Sequence, residues 1–316
     1  MGIPKLNRFL LNTCSDNSIK KKHMSAFSGK TVVVDASIYM YKFTGYNALI
    51  ENMYLLITTL KYYKITPIFV FDGKPPPEKK DTLRLRKLDK QTAETKCAEL
   101  KTELSAMTEN DPDRDELVIA IEKLKRQFIR INQRDIDSVK KLIQSCGVTY
   151  YDAPGEADLL CAQLVIAKLA WACLSDDMDL LIYGCTRVMR HVSLLNHTVI
   201  FYNINGILRE LAMPLDHFRE VTVISGTDYN SSGSATLSTT LKHYKEYKSS
   251  QLIDRSFYEW LVDNTDYIKD YENLKHVCEM FLISDDDIIT TEPQRSKCDR
   301  TKMIELLEPH GFVFVS

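Results

Sequence analysis

Thr31-Val-Val-Val-Asp35 and Pro67-Ile-Phe-Val-Phe-Asp72 are short runs of β-branched and aromatic residues, each closed by an aspartate. Such residues fit the pleated, fully buried surface of a strand. Gly147-Val-Thr-Tyr-Tyr-Asp152 and Trp171-Ala-Cys-Leu-Ser175 share the composition. Helical patterns fall over 52–63 after the first run and over 156–170 before the fourth. Strands alternating with helices predict a mostly parallel central sheet flanked by helices, an α/β fold. Two later runs, 187–192 and 198–202, lie on either side of Leu194-Leu-Asn-His197 and read as a hairpin that widens the sheet.

The stretch 74–141 interrupts this alternation and is too long for a plain loop. Leu117, Ile121, Leu124, Phe128 and Ile131 step by four, three, four and three, which marks one apolar helix face. Asp111-Pro112 suggests the turn between two helices. The expectation is a helical hairpin inserted at 74–141 into a core spanning 1–228. Asn230-Ser-Ser-Gly-Ser234 breaks the pattern, and a helical C-terminal subdomain is expected over 229–316.

No run approaches the roughly 20 apolar residues of a membrane span, so no membrane partner is expected. The N-terminus lacks the h-region and cleavage site of a secretory signal. Eight cysteines without a C-x-x-C pair give no zinc signature and suit a reducing, intracellular compartment. The formal net charge of −2 argues against a broadly basic nucleic-acid binder, but charge distribution matters more than the sum. Residues 74–101 hold nine Lys and Arg against five acids, and 123–141 hold seven against two. A solvated helix face is the bland explanation of either run.

Ligand sites in open α/β sheets gather at the carboxyl ends of the strands. There the sequence places Asp35, Asp72, Glu156 with Asp158, and Asp177 with Asp179, while Asp228 follows the apolar run 221–224. Each acid alone has an ordinary reading, since Asp after a strand caps a helix as often as it binds a ligand. Asp285-Asp-Asp287, with no strand leading into it, reads as a solvated loop or helix start. Seven carboxylates in one cleft repel one another unless cations neutralise them. Oxygen ligands without His or Cys suit Mg²⁺ or Mn²⁺. Two such ions can activate water for in-line attack on a phosphodiester, so phosphodiester hydrolysis is the reaction these acids imply.

Met1-Gly-Ile, Val34-Asp-Ala-Ser37, Val70-Phe-Asp-Gly-Lys-Pro-Pro76, Asp152-Ala-Pro-Gly-Glu-Ala-Asp158, Asp176-Asp-Met-Asp179 and Gly226-Thr-Asp-Tyr229 occur in this order. Together they resemble the flap-endonuclease family of structure-specific 5′ nucleases, over about the first 230 residues. The resemblance implies a PIN-like nuclease core and two Mg²⁺ ions, with Mn²⁺ as a substitute. It places Asp72 and Glu156 nearer one ion, Asp177, Asp179 and Asp228 nearer the other, Asp158 between them and Asp35 acting through water. It makes the insertion a helical arch, with Lys79 and Arg86 as bases at the scissile phosphate and Tyr41 as a stacking platform for a terminal base. A basic helix face and a buried core tyrosine are the competing readings. Gly2, Lys125, Arg126, Arg130, Lys242 and Lys245 complete the implied DNA contacts.

The resemblance further implies a monomer acting on branched or 5′-ended DNA in replication, repair or recombination. Its place would be the nucleus if the chain is cellular, or a viral replication site if viral. Three departures stand out. Asp158 replaces the usual Glu, keeping the charge on a shorter side chain. The glycine-rich, basic duplex anchor after Asp228 is reduced to 231–240, with one glycine and no basic residue before Lys242. The end at His310-Gly-Phe-Val-Phe-Val-Ser316 shows no sliding-clamp motif. A ribonuclease on the same carboxylates and an idle structure-specific DNA-binding protein are the alternatives. An Asp-nucleophile phosphatase would want a second Asp two residues after the first, which Asp35-Ala-Ser37 lacks.

Overall fold

The computed structural model describes residues 3–108, 114–230, 235–250, 255–283 and 289–314. The chain begins with α1 (Leu6–Thr13), β1 (Ile19–His23), β2 (Thr31–Asp35), α2 (Ala36–Thr44), α3 (Leu49–Tyr62) and β3 (Thr66–Phe71). Next come α4 (Lys80–Ala106), α5 (Arg114–Lys125), α6 (Gln133–Ser145), β4 (Thr149–Asp152), α7 (Ala157–Ile166), β5 (Ala172–Leu174) and α8 (Asp179–Ile182). The hairpin β6 (Arg187–Ser193) and β7 (Thr198–Asn203) leads to α9 (Ile204–Glu210) and α10 (Leu215–Ile224). The last helices are α11 (Leu237–Ser249), α12 (Phe257–Asn264), α13 (Tyr271–Met280) and α14 (Arg300–Leu307). Among the described residues no helix is long and apolar enough to cross a membrane.

Seven strands form one sheet in the order β1-β7-β6-β5-β2-β3-β4. From β6 to β4 all neighbours are parallel, as the strand-helix alternation predicts. Val32, Val33 and Val34 are fully buried because both faces of this sheet are covered. Alternate side chains serve two cores. Val33, Val70 and Cys173 enter the one shared with α7, α8 and α10, whereas Val32, Val34 and Phe69 enter the one shared with α2, α3 and α6. The expected hairpin is present, with β6 and β7 antiparallel.

β1 is a strand that the apolar pattern does not reveal. Its sequence Ile19-Lys-Lys-Lys-His23 has one apolar residue, yet it pairs in full register with β7 at the sheet edge. An edge strand needs only one buried residue, and lysines there discourage pairing with another chain.

The insertion differs from its expected form. α4 and α5 pack together around Ala93, Cys97 and Ile121, but α5 stops at Lys125. Phe128 and Ile131 therefore do not continue its apolar face. Asn132 opens a new helix through a capping box with Asp135, each side chain bonded to the other's backbone N–H. That helix, α6, buries Val139 and Leu142 in the core beside α3, so 133–145 packs with the sheet. The Asp111-Pro112 turn lies outside the described residues. Helices α11, α12 and α13 gather around α10, whereas α14 packs on α6, in the other core.

Candidate metal centre beneath a basic helix

Two motif loops meet where the site begins. Gly73 N–H donates to Gly155 O at 2.7 Å, and a Cβ on Gly73 would fall 2.0 Å from Ala153 O. No side chain fits there, which explains the glycine after Phe71-Asp72. This contact brings Asp72, at the end of β3, beside Glu156 and Asp158, at the start of α7. Asp72 Oδ1 accepts from Ala157 N at 2.7 Å, supplying the N-terminal cap that Glu156 does not make itself. Asp35 closes β2 and caps α2, accepting from Ile38 N at 3.3 Å and from Ser175 Oγ at 3.0 Å. The capping reading of these two aspartates is thus observed, and it does not remove them from the cavity.

Ser175 Oγ also accepts from Asp177 N at 3.1 Å, and Asp177 Oδ1 accepts from Asp179 N at 3.1 Å. Arg190, buried on β6, holds the same loop. Its guanidinium donates to Asp176 O at 2.7 Å and to Asn7 Oδ1 at 2.8 Å. Asp228 comes from the loop after α10, whose last turn is the apolar run 221–224.

Asp35, Asp72, Glu156, Asp158, Asp177 and Asp228 line one cavity of about 260 Å³, with Tyr41, Lys79 and Arg86. Asp179 lies below it, 2% exposed, and its Oδ1 has no hydrogen-bond partner. Burial, with the charge of Asp72 next, pushes the Asp35 carboxyl up to about 7. Burial also raises Asp158 and Asp179 well above the carboxylate range, with Glu156 and Asp177 adding to the former and Asp177 and Asp158 to the latter.

The cations over the cavity come from the start of the insertion. Lys79 Nζ bonds Glu156 Oε1 and lies 3.3 Å from Asp228 Oδ2. Arg86 Nη2 lies 2.7 and 2.6 Å from the two oxygens of Asp228, and Thr82 Oγ1 donates to Asp228 O at 2.6 Å. Burial opposes the charge on Lys79, but Glu156 and Asp228 outweigh it and hold its pKa above that of an ordinary lysine. Tyr229 OH donates to Glu156 Oε2, and burial keeps that hydroxyl protonated.

Among the described residues no three carboxylate, His or Cys side chains already form a coordination cage. Glu156 and Asp228 are turned onto Lys79 and Arg86 instead. The residues nevertheless fit divalent ions: the donors are all carboxylate oxygens, a buried oxygen of Asp179 is unpartnered, and the burial and mutual repulsion that raise three of these acids are costs a bound cation would offset.

The structure thus gathers the seven acids with Lys79, Arg86 and Tyr41. Tyr41 is 42% exposed, with Lys90 Nζ 5.1 Å from its ring centre, which excludes the buried-core reading. The other suggested DNA contacts do not line the cavity. Lys125 pairs with Glu122 and Arg130 with Glu94, while Arg126 is exposed. Lys242 and Lys245 are exposed on α11. Gly2, most of the shortened anchor (231–234) and Asp285-Asp-Asp287 lie outside the described residues. Sequence reading missed Thr82, Ser175, Arg190 and Tyr229. Tyr229 and Ser175 had a signal, since both adjoin the acidic motifs; Arg190 had none.

A mixed sheet carrying acids at its parallel strand ends, roofed by a basic helical insertion, defines a class that comparison makes specific. The XPG N-terminal domain matches residues 1–93 and the XPG I-region matches 147–228, so the two hold all seven acids as well as Lys79 and Arg86. The chain belongs to the flap-endonuclease family. It is 30% identical over 251 residues to flap endonuclease 1 of Leishmania braziliensis, covering 72% of this chain and 60% of that protein. It is 27% identical over 288 residues to flap endonuclease 1 of Methanococcus aeolicus, covering 84% and 79%. Among solved structures, the catalytic core of Rad2 in complex with DNA substrate superposes with a TM-score of 0.66 at 23% identity, covering 98% of this chain and 94% of that one. Flap endonuclease-1 from Methanococcus jannaschii gives 0.61 at 21% identity, covering 92% and 90%. The chain spans about 60% of the length of several curated relatives it matches.

Proposed function

We propose that this chain is a structure-specific 5′ nuclease that hydrolyses DNA phosphodiester bonds near 5′ flaps, nicks or free 5′ ends. The observation that carries the reading is the convergence of six carboxylates on one cavity with Lys79 and Arg86, with Asp179 buried next to them and three of the seven raised by burial and repulsion. Asp72 and Glu156 would hold one divalent ion and Asp177, Asp179 and Asp228 a second, with Asp158 between them and Asp35 acting through water. Bound Mg²⁺, or Mn²⁺ in its place, supplies Lewis-acid stabilisation of phosphate charge and makes water more acidic.

The rest is the work of the chain's own side chains. Lys79 and Arg86 stabilise the negative charge that spreads over the phosphoryl oxygens in the transition state. They first have to leave Glu156 and Asp228, and the same carboxylates become free as they do so. Tyr229 orients Glu156 through its hydroxyl, and Arg190 fixes the loop bearing Asp177 and Asp179. Tyr41 offers a ring at the cavity mouth on which an unpaired base stacks, an interaction worth roughly 1–3 kcal/mol.

On this reading residues 1–228 are the nuclease core, with the arch inserted within 74–141 and formed by α4 and α5, since 133–141 belong to α6 and pack on the sheet, and 229–316 form a largely helical C-terminal part. α11 presents Lys242 and Lys245 to duplex DNA. The protein acts as a monomer on branched DNA in replication, repair or recombination, in the nucleus or at a viral replication site. Relatives solved with DNA substrate support the choice of DNA. The test is cleavage of labelled flap, nicked, gapped and bubble DNAs, and an RNA flap, with Mg²⁺, Mn²⁺ and chelator. Cutting of the DNA flap near its junction, abolished by chelator, is expected. Equal cutting in chelator, or cutting of RNA alone, overturns the reading.

A further inference from the structure

Cys146 and Cys298 are far apart in sequence and adjacent in space. Cys146 is the C-cap of α6, and Cys298 precedes Asp299, the N-cap of α14. The two residues face each other as an antiparallel bridge pair. Asp299 N donates to Ser145 O at 2.8 Å, and four residues further along Tyr150 and Gln294 exchange bonds of 3.1 and 2.7 Å. A bond between the residue before Cys146 and the residue after Cys298 makes the cysteines the non-hydrogen-bonded pair. In such a pair the Cα atoms approach to about 4.5 Å and the side chains lie on one face. That spacing falls within the range a disulfide spans.

Gly147 gives a second measure of closeness. It has φ +67°, and a Cβ built on it would lie 2.7 Å from Cys298 N and 3.1 Å from Cys298 Cβ. The glycine lets the chain press against Cys298. The two cysteines line one side of a shallow cleft of about 140 Å³, which Lys61 also lines, its ammonium donating to Cys146 O at 2.8 Å. Cys298 is exposed and Cys146 buried. One thiol therefore meets solvent oxidants while its neighbour waits behind it.

We infer that Cys146 and Cys298 form a reversible disulfide when the protein meets a hydroperoxide, tying the C-terminal return of the chain to α6. The thiolate of Cys298 attacks one peroxide oxygen: an S–O bond forms, the O–O bond breaks, and the departing hydroxide takes up a proton as water. The sulfur of Cys146, giving up its proton, then attacks the Cys298 sulfur and expels the sulfenic oxygen as a second water. Two thiols and one hydrogen peroxide give one disulfide and two waters. Burial, with the neighbouring Cys298 adding and Lys61 opposing, pushes the Cys146 thiol up to about 11, which suits it to the second step and not the first.

The bond would act on a segment otherwise held by few contacts. Leu307 is the only fully buried residue of α14, supported by Met303, Phe312 and Phe314 at the rim of the core. The new link closes a loop of more than a hundred residues, for which chain entropy predicts a substantial gain, read as a rise in Tm on the order of 5 °C.

The experiment treats the reduced full chain with stoichiometric hydrogen peroxide, blocks remaining thiols, digests without reductant and maps the peptides by mass spectrometry. A linked pair carrying Cys146 and Cys298, reversed by dithiothreitol and accompanied by the rise in Tm, is expected. Cys298→Ser, at an exposed position, should fold normally and lose both signals, and Gly147→Ala should lower the yield of the link. Recovery of Cys298 as a free thiol, as a sulfinic acid or joined to another cysteine overturns the proposal. So does a link between Cys161 and Cys173, both fully buried, in its place, or a Cys146–Cys298 link that leaves Tm unchanged.

Discussion

The floor of the cavity and the helix that roofs it carry opposite charge and are held by different forces. Strand packing fixes the floor: Asp35 and Asp72 are fastened to helix N-termini, and Asp177 is tied through Ser175. The roof is held to the floor largely by charge, through Lys79, Arg86 and the Thr82 hydroxyl. Packing of the floor does not depend on what is bound. The roof contacts would, on the proposed function, because a divalent ion would compete for the same carboxylates. On that reading the floor is a preformed set of ligands and the roof a set of cations on loan to it.

The largest effect should come from the floor. Asp179→Asn removes a buried carboxyl one of whose oxygens is unpartnered, so cleavage in Mg²⁺ should fall about 1000-fold or more while DNA affinity stays within a few-fold. The same substitution should raise Tm in chelator, since burial and the nearby acids make the ionised form costly. Near-normal cleavage would remove Asp179 from the metal centre.

The roof should show a mixed result. Lys79→Ala is expected to slow single-turnover cleavage by about 100-fold, in line with loss of one charge-stabilising group. It should also tighten Mn²⁺ binding, measured by calorimetry without DNA, by up to about tenfold, because Glu156 and Asp228 lose a competitor. Weaker Mn²⁺ binding would show that Lys79 assists the ligands instead of competing for them.

Glu220 tests a half-buried acid outside the cavity against the clustered ones. Burial, ahead of the Asp216 and Glu259 charges and against hydrogen bonds from Phe257 and Tyr258, pushes it up to about 7. The folded state then holds a proton that the unfolded state has released. Stability should fall as pH rises from about 4.5 to 7, by on the order of 2 kcal/mol. Denaturant titration across that range should show the decline, and Glu220→Gln should make it shallower, leaving the part due to Asp35, Asp158 and Asp179; an unchanged slope in the variant would assign the decline to those groups. The smallest effect is expected at the seam between floor and roof. Tyr229→Phe removes one hydrogen bond from Glu156 and should cost about 1 kcal/mol of stability in chelator. A cost near zero would mean that Lys79 alone holds Glu156.

The central strands were legible because burial on both faces requires uninterrupted apolar runs, and Val32 to Val34 obey that requirement. The acids were legible by position, each following such a run or matching a motif. β1 was not, since an edge strand built around Ile19 and three lysines leaves almost no apolar trace. The end of α5 was hidden for a different reason: the apolar spacing continues through Phe128 and Ile131 while the Asn132–Asp135 capping box restarts the helix. The pairing of Lys79 and Arg86 with Glu156 and Asp228 depends on side chains from three separate segments meeting. Arg190 reaches the acidic loop through the Asp176 carbonyl, a contact to which a side chain contributes no signal, and its other partner, Asn7, is distant in sequence.

Asp35 accepts the Ile38 amide at the head of α2 while facing the other acids. Its replacement by alanine therefore damages two things at once, and an activity screen alone would exaggerate its share in the chemistry. Asparagine keeps an acceptor for the amide and discards the charge. Comparing the two substitutions separates what the residue does for the scaffold from what it does for the reaction.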